Sequence, residues 1–182
     1  MWLVIAAVVA VLAIGVIAWW YIQLRRRALL RERFGPEYDR AVRDAGSAEK
    51  AESMLAERTR RVKTLKIHPL SPEQSDTFAR EWHRVQAMFV DDPDGAVAAA
   101  DRLVTEVMTA RGYPIEDFEA RAADLSVQHP RVIENYRTAR ALSTKRERGE
   151  AATEELRQAV VNYRTLFEDL LATDRGTVRR AS

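Results

Sequence analysis

Between residues 70 and 172, apolar side chains return every three or four positions, the period at which a helix turns one face to a core. Phe78, Trp82, Val85 and Phe89 fall at i, i+4, i+7 and i+11. Just before them, Leu70-Ser71-Pro72-Glu73-Gln74 has the make-up of a helix start: a serine cap, proline at the first helical position, and a glutamine placed to close a capping box. A second stripe carries Val97, Leu103, Val104, Val107 and Met108 and stops at Gly112. Tyr113-Pro114 then leads into a short helix with Phe118 and Leu125. Pro130 opens a fourth helix, with Val132, Ile133, Tyr136 and Leu142 inward and its end at Gly149. Thr153 is the expected cap of a fifth, which carries Leu156, Val160, Tyr163, Phe167 and Leu170. No strand-like alternation occurs after the first 22 residues, and no internal repeat is present.

The amino-terminal pattern is of another kind. Residues 2–22, WLVIAAVVAVLAIGVIAWWYI, hold no charge. A helix of about 20 apolar residues crosses a hydrocarbon core roughly 30 Å thick, and in lipid even a run rich in β-branched residues must be helical to pair its own backbone. Trp19, Trp20 and Tyr21 suit the membrane–water interface, and Arg25, Arg26 and Arg27 follow. A cleaved signal peptide fits worse. Nothing basic precedes the run, which exceeds the about 7–15 apolar residues of a signal, and bulky residues stand where cleavage would occur.

The positive-inside rule orients the amino terminus outside and residues 24–182 in the cytoplasm. The anchor, residues 1–23, should continue as helix to Phe34, where Gly35-Pro36 breaks it. A short helix over 37–45 should end at Gly46, and Ser47 should cap a stalk helix. The stalk's stripe is narrow: Ala48, Ala51, Leu55, Val62 and Leu65, broken by Arg58. It suits either pairing with a second copy through residues 47–66 or packing back on the domain. The expected organisation is thus all-α: anchor, basic arm and stalk over 24–67, a compact bundle of about five helices over 68–172, and a flexible tail over 173–182.

Charge sharpens this. The net +2 conceals 13 Lys/Arg against 7 Asp/Glu over residues 24–66, and 13 against 19 over residues 67–172. A basic block directly after an apolar span suits anionic lipid headgroups, at about 1 kcal/mol per basic residue near the surface. Nucleic acid is not expected: Glu32, Glu37, Asp39 and Asp44 dilute the block, and it lacks interleaved stacking aromatics. With no cysteine, disulfides, thiol catalysis and cysteine-based metal centres are excluded.

The chemistry-bearing motifs are few. No G-x-S-x-G, P-loop or H-E-x-x-H is present. Ser47-Ala-Glu-Lys50 matches S-x-x-K without the companion elements that chemistry requires, so Ser47 reads as a cap. His83 has no ligand type three or four residues away, and His68 and His129 each precede a proline and read as turn residues. Glu116/Asp117 and Glu154/Glu155 sit in first helical turns, where the helix dipole favours acids.

The run Val90-Asp-Asp-Pro-Asp-Gly-Ala-Val-Ala-Ala-Ala-Asp101 approaches a calcium loop, with Asp92, Asp94 and Gly95 at positions 3, 5 and 6. Valine at position 1 and aspartate at 12 spoil it. Asp92 as cap, Pro93 at N1 and Asp94 at N2 account for more of the residues. No catalytic, cofactor-binding or metal-binding residue is assigned, and no cofactor is expected. His83 or His129 beside an acid in a cleft would revive an enzymatic reading.

The runs LRERFGPEYDRAV, LSPEQ, FVDDPDGAVAAADRLVTEVMTARGYPIEDFEARAADLSVQHPRVIENYR and LRQAVVNYRTLFEDLL resemble an uncharacterised family of bacterial single-pass membrane proteins. The resemblance implies the architecture and a bacterial inner-membrane setting, and no activity. The expectation is a membrane-anchored interaction or scaffolding module, partnered by the bilayer and by another protein. The alternative is a small-ligand or lipid-binding bundle in which Trp82, Phe78, Tyr113 and Phe118 line a pocket instead of filling a core.

Overall fold

The computed structural model describes residues 2–115 and 117–178, and the side chains of all of these except 3–11, 13, 23, 26 and 173–178. Among the described residues there are eight helices and no strand: α1 (Trp2–Phe34), α2 (Pro36–Ala45), α3 (Ala48–Thr64), α4 (Pro72–Asp91), α5 (Pro93–Ala110), α6 (Phe118–Gln128), α7 (Ile133–Glu147) and α8 (Thr153–Val178). The chain forms two compact units, Met1–Leu55 and Ala56–Ser182, divided within α3.

In the first unit α1 is one continuous helix of 33 residues. It ends where the sequence breaks it, at Gly35 (φ 51°) followed by Pro36 as the first residue of α2. Gly46, at φ 72°, closes α2 with its N–H on the carbonyl of Val42. Ser47 Oγ then accepts from the amide of Lys50 at 3.3 Å, the cap its position suggested. Phe34, Tyr38, Ala41, Ala51 and Leu55 are buried. Glu52 of α3 joins all three helices, accepting from Arg27 Nε of α1 at 3.1 Å and from Tyr38 Oη of α2 at 3.2 Å. Burial, and then the Glu52 carboxylate, raise the Tyr38 phenol above its ordinary pKa.

Ala51, Leu55 and Val62, the centre of the stalk's apolar stripe, are covered within a single chain. Among the described residues no helix is long and apolar enough to cross a membrane. Within the expected anchor, the side chains of residues 3–11, 13 and 23 lie outside those described.

The second unit holds the core. Ser71 and Gln74 make both halves of the capping box that opens α4. Asp92 both closes α4, its N–H on Met88 O, and opens α5, its Oδ1 accepting from Gly95 N at 2.8 Å. α5 packs against α4, α7 and α8, while α8 also packs on α7 and α6 on α7. Val97, Val104, Val107 and Met108 of α5 meet Leu166 and Leu170 of α8 in one apolar cluster with Leu125, Ile133 and Tyr136. Trp82 stacks on Phe167 with ring centroids 4.7 Å apart. Tyr136 lies between Phe118, at 5.1 Å, and Tyr163, at 6.3 Å. Arg61, in the last turn of α3, donates through Nε to the buried Asp124 of α6 at 2.8 Å.

Two element starts differ from expectation. Thr153 is the first residue of α8, not its cap. The carboxylate of Glu155 reaches back to the Ala152 amide at 2.9 Å, so the acid side chain takes the orphan donor that a serine or threonine hydroxyl cannot reach from inside the helix. α7 begins at Ile133, after a turn over residues 130–132 in which Val132 N bonds His129 O. At the carboxy end α8 continues to Val178. The expected flexible tail falls on residues whose side chains, or from 179 onward whose whole placement, lie outside those described.

Candidate functional site

The residues expected at a membrane interface sit on α1. Trp19, Trp20 and Tyr21 are 61%, 63% and 61% exposed. Arg25 is exposed, Arg26 lies outside the described side chains, and Arg27 is engaged by Glu52. Farther along α1, Arg31 pairs with Asp39 at 2.8 Å, a contact that raises its pKa.

The four aromatics that a ligand-binding bundle would bring to one pocket do not converge. Tyr113 is buried in the core cluster and Phe78 packs against that cluster. Trp82 and Phe118 border two different surface grooves. The Trp82 groove, about 370 Å3, also has His83, Gln86 and Phe167 in its wall, with Arg164 and Glu168 paired to each other at 2.7 Å. The Phe118 groove, about 380 Å3, is formed by α5, α6 and α7 and collects most of the charge: Asp101, Arg102, Glu106, Arg121 and Arg140, with Thr105 and Tyr136.

Its polar groups are unevenly satisfied. Asp101 Oδ1 accepts from Tyr163 Oη at 2.7 Å, and its Oδ2 faces Arg140 at 3.4 Å. Arg121 donates to Thr105 Oγ1 and to the carbonyl of Ile115, each at 3.2 Å. Tyr136 Oη and Arg121 Nε are both buried without a hydrogen-bond partner. A buried donor left so costs about 1–3 kcal/mol. Burial pushes the Tyr136 phenol up to about 12, against a smaller lowering by the Arg121 charge beside it. Burial, followed by Asp101, raises Tyr163 as well.

His129 proves to be more than a turn residue. It closes α6 and is 2% exposed. Its Nδ1 lies 2.5 Å from Asp169 Oδ2, and because a carboxylate only accepts, Nδ1 carries the proton. Tyr113 Oη stands 3.3 Å from Nε2 and donates to Gln128 Oε1 at 2.5 Å. An acid does stand beside His129, but His129 lines neither groove. The arrangement fastens α6 to α8.

The acidic turn is likewise occupied by its own chain. Asp92 is spent on Gly95 N, and Asp94 Oδ2 takes Arg146 at 3.2 Å. Among the described residues, no group of three or more His, Asp or Glu is placed to hold a metal.

Sequence reading missed the α5–α7 groove, although a signal for it exists. Asp101 occupies a slot in the Val97/Val104/Met108 stripe, Arg121 stands between Phe118 and Leu125, and Arg140 follows Tyr136 by one turn. Charged residues in apolar-stripe positions mark where a core face opens to solvent. No known protein family, curated protein or solved structure matches the chain. The resemblance to bacterial single-pass membrane proteins stands on the quoted runs alone.

Proposed function

We propose that the protein is a membrane-anchored helical interaction module of a bacterial inner membrane, with α1 as its single span and the remaining helices in the cytoplasm. The observation that carries this reading is the exposure of α1: every residue from 14 to 22 is exposed, including Ile14, Val16, Ile17, Trp19 and Trp20. A helix that is apolar all round belongs in a core or in lipid, and no core covers residues 14–22. The uncharged run 2–22, as helix, is about 30 Å long at 1.5 Å per residue, the thickness of a hydrocarbon core. Arg25–Arg27 directly after the run supply the orientation. The resemblance to bacterial single-pass membrane proteins points the same way.

The interaction role is supported by the bundle. Tyr113, Tyr136 and Tyr163 are buried in its core, and its one buried histidine, His129, ties α6 to Asp169 of α8. Alkaline carbonate extraction of membranes tests the anchor: the full chain stays with the membrane and a chain lacking residues 2–22 is released. A full chain recovered in the soluble fraction overturns it. Membrane-impermeant protease on intact cells should leave residues 24–182 uncut. Crosslinking and affinity capture from membranes should return a specific protein, and recovery of lipid and self alone removes the interaction role.

A further inference from the structure

In the α5–α7 groove two buried donors hydrogen-bond to none of the surrounding acceptors. Tyr136 Oη is one. Arg121 Nε is the other, since that guanidinium spends its remaining contacts on Thr105 and Ile115. Asp101 is taken by Tyr163 and Arg140, and Arg140 by Asp101 and Glu147, while Arg102 and Glu106 lie exposed in the wall. What the two donors call for is a pair of oxygen acceptors. A guanidinium as one of the two donors favours a charged acceptor over a neutral carbonyl, because charge-assisted hydrogen bonds are the stronger kind.

Charge narrows the class further. Three arginines line the groove against Asp101 and Glu106, one positive charge in excess, which matches a monoanion better than a dianion. The half-buried ring of Phe118, with the Arg140 guanidinium 6.0 Å from its centroid, supplies an apolar side. The volume, about 380 Å3, lies at the small end of ligand sites.

We propose that this groove binds a small organic carboxylate, whose oxygens accept from Tyr136 Oη and Arg121 Nε while its compact apolar body rests on Phe118. The proposal is independent of the membrane anchor, and the site uses only residues of the second unit.

The test is titration of the full-length protein in nanodiscs, with empty nanodiscs as control, using benzoate, phenyl phosphate and benzyl alcohol as probes. Benzoate binds saturably, phenyl phosphate binds more weakly, and benzyl alcohol does not bind. Tyr136→Phe keeps the ring packed between Phe118 and Tyr163 and removes only the hydroxyl. It weakens benzoate about tenfold, the scale of one hydrogen bond to a charged group. Arg121→Gln weakens it at least as much. Absence of saturable benzoate binding up to about 10 mM, well past the millimolar range of weak ligands, overturns the proposal and leaves water as the groove's occupant. Equal affinity for benzyl alcohol, or benzoate binding unchanged in Tyr136→Phe with an unaltered melting temperature, overturns it too. Tighter binding of phenyl phosphate than of benzoate overturns the choice of a carboxylate.

Discussion

His129 Nδ1 lies 2.5 Å from Asp169 Oδ2, and this pair fastens the carboxy end of α6 to α8 across 40 residues of chain. The imidazole is 1% exposed and the carboxylate 40%, so the bond shields one partner and leaves the other at the surface. Removing the acid strands a buried N–H. Asp169→Ala should lower stability by about 1–3 kcal/mol, the cost of an unsatisfied buried donor. Asp169→Asn keeps an acceptor oxygen and should lose less. Urea unfolding of the three proteins compares them, and equal midpoints for wild type and the alanine variant would show that α6 is held by packing alone.

The acidic turn at Asp92 yields a second expectation. Ser71→Ala and Asp92→Ala each remove a side chain that accepts from a first-turn amide, and each should cost about 1 kcal/mol. Gly95→Ala should cost a similar amount by another route, because a Cβ there would run into the Asp92 carboxylate and push the cap aside. With Asp92 on Gly95 and Asp94 on Arg146, added calcium should leave the melting temperature unchanged. A clear rise would mean that the turn opens to bind metal.

These caps were readable from the sequence because they are local. Ser71 and Gln74, or Asp92 and Gly95, meet across three residues, and the stripes Phe78/Trp82/Val85 and Val97/Val104/Met108 need only helical periodicity to find their core. The ties that position the candidate groove were not readable. Asp101 meets Tyr163 across 62 residues and Arg61 meets Asp124 across 63, and no periodicity pairs residues so far apart. Thr153 misled for a related reason. A threonine and an acid in one turn can set the helix start in two registers, and here Glu155 bonds the Ala152 amide one residue earlier.

Gly112 provides a third. Its φ of +88° is a conformation that side-chain-bearing residues rarely adopt, and a Cβ there would stand 2.5 Å from the carbonyl oxygen of Lys66. The neighbouring bond from His68 N to Arg111 O, 3.0 Å, holds the two segments at that close approach. Gly112→Ala should therefore destabilise by more than about 1 kcal/mol, since strain and collision act together. Amide exchange at His68 should accelerate with it. A variant as stable as wild type would mean that residues 66–68 move away freely.

Tyr136 sets the alkaline limit of the bundle. Its phenol titrates near its ordinary value of 10 in the unfolded chain and at about 12 in the fold, where burial disfavours the phenolate. Below pH 10 both states keep the proton and stability does not depend on this group. Between pH 10 and 12 the unfolded chain releases the proton while the fold retains it, so stability falls as pH rises through that window. The loss levels off above about 12, by which point it amounts to about 2–3 kcal/mol. Tyr163, also raised by burial, adds a fall of the same sign. Tyr136→Phe should flatten the decline between pH 10 and 12 only in part, and adding Tyr163→Phe should flatten it further. Urea midpoints taken across that window measure both. Parallel curves for wild type and Tyr136→Phe would mean that the phenolate reaches solvent, and hence that the floor of the α5–α7 groove is open.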